Sequence, residues 1–137
     1  MGVIAGIMAS IFTRIINGEI PCYKIAEDSD NFAFLDIQPN APGHTLCIPK
    51  REVDKITDLD AEAYMSLMRF SRKVALALEA SMDCKRIGMT VIGLEVPHVH
   101  VHLIPLREMA DATFQRKATL SPEAFEAIAE KIRSKLQ

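Results

Sequence analysis

Three of the four histidines in the chain fall within five consecutive residues, at His98, His100 and His102; the fourth is His44. They sit in Pro97-His-Val-His-Val-His-Leu-Ile-Pro105, where histidine alternates with apolar residues. Period two is the signature of a half-buried strand, so all three imidazoles project from one face, with neighbours about 7 Å apart. Val99, Val101 and Leu103 then face the core from the other side. That side is complete without a histidine, so the imidazoles serve the opposite face.

Three uses of such a face compete. A solvated polar surface tolerates histidine, but three alternate positions filled by so scarce a residue argue against it. Metal binding is the second, because neutral imidazole is a common ligand. Three ligands from one strand span about 13 Å, too far for one tetrahedral ion, but two of them with His44 can make a zinc site. The third is nucleophilic catalysis on phosphorus: a central imidazole attacks while its neighbours orient it and hold the phosphoryl oxygens. Spacing alone leaves the last two open.

The elements that must carry these residues read as follows. A short helix, Phe12 to Asn17, ends at Gly18 and Pro21. Strand-like runs Cys22 to Glu27 and Phe32 to Ile37 flank the turn cluster Asp28-Ser-Asp-Asn31. Pro39, Pro42 and Gly43 mark a loop before a third strand, Thr45 to Ile48, ended by Pro49. Asp58 to Asp60 offers N-cap oxygens for a long helix, Ala61 to Ala80, with a buried stripe of Tyr64, Leu67, Met68, Val74, Ala75 and Leu78. Arg86 to Ile92 and Val99 to Ile104 complete five strands. Ser121-Pro122-Glu123 opens a C-terminal helix, 122–136, lined by Phe125, Ile128, Ala129, Ile132 and Leu136. Its stripe must pack somewhere, with the site entrance as one option. Strands and helices without regular alternation predict an α+β domain built on a mainly antiparallel sheet.

The 137 residues suit one domain, assigned to 10–137, with 1–9 as an N-terminal tail or upstream extension and Met8 as an alternative start. The tail is apolar but lacks a basic leader region and is far short of the roughly 20 residues that span a bilayer. With 49% hydrophobic and 25% charged residues the chain is not disordered. A net charge of -2 gives no basic footprint for nucleic acid or anionic membrane. Cys22, Cys47 and Cys84 form no CxxC pair and read as free thiols of a cytoplasmic protein.

His98-Val-His-Val-His-Leu-Ile104 resembles the signature of the histidine triad (HIT) superfamily of nucleotide hydrolases and transferases. Ile11-Phe-Thr-Arg-Ile15, Ile20-Pro21, Phe34-Leu-Asp36-Ile37, Ala41-Pro-Gly-His44 and Cys47-Ile-Pro-Lys50 extend the likeness over residues 10 to 106. It is closest to the branch of histidine triad nucleotide-binding proteins. The resemblance implies a five-stranded antiparallel sheet with a long helix, dimerised through that helix and the strand Arg86 to Ile92. It implies hydrolysis at the α-phosphate of a purine nucleoside phosphoramidate or related nucleotide adduct, with no cofactor and no metal required. His100 would be the nucleophile, forming a covalent nucleotidyl-histidine, with its Nδ1 hydrogen held by the His98 carbonyl. His102 would contact phosphate, His44 would brace the cluster, and Asp36 would hold the ribose. Ile11, Phe12, Ile15, Phe34 and Ile37 would wall the base.

Several positions depart from the family pattern. Gly88-Met-Thr-Val-Ile-Gly93 runs straight into Leu94-Glu-Val-Pro97, shortening a loop. Thr90 stands in for a family asparagine, and Glu95 takes the place of a serine linked to leaving-group protonation. Glu95 is read equally as a general acid or as a solvated loop carboxylate. Ser10 and Thr13 replace a cysteine pair with which some relatives bind zinc, so that site is expected to be absent. Two other activities stay in view: hydrolysis of dinucleoside polyphosphates, and nucleotide sensing with little turnover.

Overall fold

The computed structural model describes residues 9–137. The tail assigned to 1–9 therefore lies outside the described residues except for Ala9. Five strands form one antiparallel sheet: β1 (Lys24–Glu27), β2 (Asn31–Leu35), β3 (Thr45–Pro49), β4 (Arg86–Thr90) and β5 (Val101–Leu106), in the order β1-β2-β3-β5-β4. The first turn follows from Asp28, whose Oδ1 accepts the amides of Asp30 and Asn31 at 2.8 and 2.7 Å. This is the α+β, five-stranded architecture expected from the sequence.

Several strand limits differ from expectation, and four of the shifts trace to pairing or hydrogen bonding. β1 begins at Lys24, where an irregularity between Lys24 and Ala26 interrupts its register with β2. β2 stops at Leu35, before Ile37, because Asp36 turns the chain: its amide bonds the His44 carbonyl at 2.9 Å and its carboxylate takes the Gln38 amide at 2.8 Å. β5 starts at Val101 because the amides of His98 and Val99 go to the carbonyls of Val96 and Val53. β4 accordingly ends at Thr90, opposite His102, with no strand beyond it to pair.

Three α-helices accompany the sheet among the described residues. In α1 (Ile11–Ile16) the Ser10 hydroxyl accepts the Thr13 amide, and Gly18 at φ +79 ends the segment. In α2 (Ala61–Ser81) the Asp60 carboxylate caps the Ala63 amide at 2.8 Å. In α3 (Pro122–Arg133) Ser121 caps the Ala124 amide at 3.1 Å. The buried stripe of α2 is Leu67, Phe70, Ser71, Val74, Ala77, Leu78 and Ser81. Tyr64, expected in that stripe, is 44% exposed, and Met68 and Ala75 only flank it. Phe70 and Ala77 are buried on its opposite edge instead; helical periodicity alone does not set which edge of the stripe is covered.

The sheet is buried on both faces. On one, Val99, Val101 and Leu103 join Ala33, Leu35, Cys47 and the stripes of α2 and α3. On the other, Phe32, Phe34, Leu46 and Ile48 pack against Phe12 of α1. The histidines emerge on this second face. α3 belongs to the first face, where Phe125 stacks on Tyr23 with ring centroids 4.9 Å apart and planes 12° from parallel. It therefore does not border the site entrance. No helix among the described residues is long and apolar enough to cross a membrane.

Candidate active site

The four histidines converge, and the partners of each ring determine where its proton lies. His100 Nδ1 is 2.8 Å from the His98 carbonyl, which only accepts, so Nδ1 carries the hydrogen and Nε2 presents a lone pair. The Asn40 amide donates to His44 Nδ1 at 2.9 Å, which puts the His44 hydrogen on Nε2. That hydrogen is donated to His102 Nδ1 at 2.9 Å, leaving His102 with a free Nε2–H donor. His98 Nε2 donates to the Pro49 carbonyl at 2.7 Å, so its Nδ1 accepts from the Ser10 hydroxyl at 2.8 Å. All four histidines are buried. Burial pushes His44 down to about 3 and His102 down to about 4, and lowers His98 as well, so these three rings are neutral near pH 7.

Local structure explains the placement. His102 lies within β5 opposite Leu46, and His44 directly precedes β3. The two ring centroids of His100 and His102 are 4.8 Å apart, and the Phe12 edge packs on His100 at 5.0 Å and on His98 at 5.9 Å. Ser10 does double work: its hydroxyl caps α1 and orients His98, while Glu52 takes the Ser10 amide at 2.7 Å and the Thr13 hydroxyl at 2.6 Å. The two hydroxyl residues that replace the zinc-site cysteines of some relatives are thus engaged with His98 and Glu52.

A cleft of about 530 Å³ opens over His100 and His102. Ile11, Phe12 and Ile37 line it, as do Asp36 and Glu95. Ile15 and Phe34 sit behind Phe12 in the apolar cluster and do not line the cleft. Thr90 is the cross-strand partner of His102 but does not line the cleft either, and Glu95 is exposed at its rim. Asp36, its carboxyl raised above the usual range chiefly by burial, brings Oδ2 to 3.6 Å from His44 Nε2.

Among the lining residues that the sequence reading missed are Phe114 and Lys117. Phe114 adopts a left-handed φ of 63, and its ring packs on His102 at 4.9 Å and His44 at 5.9 Å. Lys117 lies 5.0 Å over that ring and donates to Asn40 Oδ1 at 2.9 Å. Their segment is held by buried Asp111, which accepts the amides of Arg107 and Glu108 and the Arg116 guanidinium. Against the penalty of burial these donors keep its carboxyl below the ordinary range. The only sequence signal was one aromatic residue in a polar run, Asp111-Ala-Thr-Phe-Gln-Arg-Lys117.

His44, His102 and Asp36 bring potential metal-ligating atoms within 4.8 Å of one another. This differs from two triad histidines with His44, since only one triad ring takes part. The Asn40 amide also holds the His44 proton on Nε2, the atom a metal would need, so the pair is arranged for hydrogen bonding. A larger cleft of about 590 Å³ under α2, lined by residues such as Lys50, Arg51 and Arg69, contains neither histidine nor cysteine and offers no comparable nucleophile.

Comparison with known proteins agrees with this geometry. The family model of the HIT domain matches residues 17–109. The adenosine 5'-monophosphoramidase of Schizosaccharomyces pombe is 34% identical over 133 residues, covering 95% of this chain and all of that protein. The corresponding Saccharomyces cerevisiae enzyme is 40% identical over 101 residues, covering 73% of this chain and 64% of that protein. Among solved structures, a Hit-like protein involved in cell-cycle regulation from Bartonella henselae superposes with a TM-score of 0.81 at 33% identity, covering 93% of this chain and 96% of that one. A zinc-bound histidine triad family protein from Mycobacterium smegmatis gives 0.79 at 27% identity, covering 93% of each chain. With its sheet, its histidine cluster and the span of the matched domain in agreement, the chain belongs to the HIT domain family.

Proposed function

We propose that this protein hydrolyses the α-phosphate linkage of a purine nucleoside phosphoramidate or related nucleotide adduct through a covalent intermediate on His100. The observation that carries the reading is the hydrogen bond from His100 Nδ1 to the His98 carbonyl, which leaves Nε2 free to act as the nucleophile at the cleft. In the first step Nε2 attacks the α-phosphorus; the bond to the leaving nitrogen breaks, and the departing amine takes up a proton. Water then attacks the nucleotidyl-histidine, releasing the nucleoside monophosphate and restoring the imidazole. His102 Nε2–H, pointed outward by the His44 bond, donates to a phosphoryl oxygen. Asp36 accepts from the ribose hydroxyls, and Ile11, Phe12 and Ile37 wall the base, with Ile15 and Phe34 supporting Phe12. Thr90 supports His102 from β4. Glu95 acts from the rim, as a proton donor to the leaving group or as a solvated carboxylate.

The scheme requires no metal or other cofactor, because the His102 Nε2–H meets the phosphoryl charge. The phosphoramidase names of both yeast relatives support the substrate class. The decisive experiment is turnover of adenosine phosphoramidate by the wild type and by His100→Ala. The variant is expected to lose at least ~10³-fold in kcat/KM. Equal turnover removes His100 from the mechanism, and slow, His100-independent turnover by the wild type favours a sensor. Insensitivity of wild-type turnover to chelator tests the metal-free scheme.

The functional unit of this reading is a cytoplasmic homodimer. The three cysteines are free, which supports a reducing compartment. β4 is an edge strand with Met89 44% exposed, and Met65 and Leu76, on one face of α2, are 51% and 49% exposed. Met89→Glu is expected to shift the sedimentation coefficient from dimer to monomer; an unshifted dimer places the interface elsewhere.

A further inference from the structure

The cleft presents an imbalance of charge for a protein that is to receive a phosphate. Its lining contains two carboxylates, Asp36 and Glu95, and the imidazoles of His100 and His102. Lys117 is the one lysine or arginine among the lining residues. Among the described lining residues, an incoming nucleotide anion meets Asp36 and Glu95 with no other compensating cation. We propose that Lys117 is the phosphate-binding cation of the cleft, a residue that determines selectivity for nucleotides over nucleosides. This assignment rests on the nucleotide reading above.

The surroundings of Lys117 fit the role. Its ammonium has three donors; one goes to the neutral Asn40 amide, and among the described residues no carboxylate lies within ion-pair distance of it. Arg116, its neighbour in sequence, is by contrast paired with Asp111 and Glu108 and cannot turn to a ligand without breaking both contacts. The base of the side chain is held in place: the Ala118 amide bonds the Pro39 carbonyl at 2.8 Å, and Phe114 lies beneath the ammonium. Phe114 and Asn40 each also contact His44, through its ring and its Nδ1, so the lysine is tied to the same scaffold that aims His102. Lys117 also lies outside the matched domain, residues 17–109. The segment after β5 thus supplies the cation to a site whose nucleophile comes from the domain itself.

The test is calorimetric binding of adenosine and of AMP, with guanosine and GMP as a second purine pair, to the full-length wild type, Lys117→Met and Lys117→Arg. The methionine variant is expected to weaken monophosphate binding by about tenfold or more while nucleoside binding moves less than about twofold. It is also expected to flatten the salt dependence of monophosphate affinity, with arginine restoring most of both. Unchanged monophosphate affinity in Lys117→Met overturns the assignment. Equal weakening of nucleoside and monophosphate also overturns it, because that is the mark of a structural role. Wild-type protein that binds none of the four ligands overturns the nucleotide reading and this assignment with it, whereas failure of the lysine alone leaves the nucleotide reading standing.

Discussion

Each histidine here is defined by which nitrogen its neighbours occupy. The Asn40 amide, a donor that cannot be deprotonated near neutral pH, sets the proton of His44, which sets that of His102. The arrangement holds only while the rings are neutral, and this has a consequence in acid. An imidazole in the unfolded chain takes its proton near 6.5, whereas burial holds His102 to about 4 and His44 to about 3. Between those limits the unfolded state binds more protons. The contribution to stability is complete above pH 6.5 and is lost as pH falls through the folded values. Asp36, raised by burial, opposes the trend because its folded form binds a proton more readily. Melting temperature is therefore expected to drop as pH is lowered from 7 toward about 4.5, with a shallower slope in His102→Asn. Parallel slopes in the two proteins would show that acid sensitivity arises elsewhere.

Among the elements, α1 is the one whose position matters most for the chemistry. It has only six residues, too few to be stable in isolation, and is held by Phe12 on the sheet and by Glu52 at its first turn. Its cap is shared with the histidine cluster, because the Ser10 hydroxyl bonds both the Thr13 amide and His98. Ser10→Ala removes a helix cap and leaves a buried imidazole nitrogen unpaired, an expected cost of about 2 kcal/mol in urea unfolding. A cost below about 0.5 kcal/mol would show that solvent replaces the hydroxyl. Serine and threonine at positions 10 and 13 were legible as departures from the family pattern. Their bond network with Glu52 was not, because Glu52 lies some forty positions away.

At the scale of the whole molecule, the sheet separates two tasks. One face carries α2 and α3 and provides most of the core; the other carries the histidines, α1 and the Phe114–Lys117 segment. Phe125→Ala is expected to destabilise the protein by about 3–5 kcal/mol while changing kcat/KM of the folded fraction less than about twofold. A large loss of kcat/KM at full folding would couple α3 to the site and contradict this separation. The loop after β5, and not the C-terminal helix, reaches the cleft because buried Asp111 gathers the amides of Arg107 and Glu108 and turns the chain back toward Asn40.

Local spacing was enough to read the alternation that puts Val99, Val101 and Leu103 on one side and the histidines on the other. It was enough for the caps at Asp60 and Ser121, since these are contacts between near neighbours in sequence. The family blocks brought in His44 and Asp36 by likeness of residues, without showing how they meet. Only folding brings the Asn40 amide to His44, His44 to His102, and Lys117 across Phe114 to Asn40. The histidine cluster is thus written in a five-residue pattern. The proton positions, the neutral rings and the single lining cation depend on burial and long-range hydrogen bonds, which exist only once the strands and the Asp111 loop have packed.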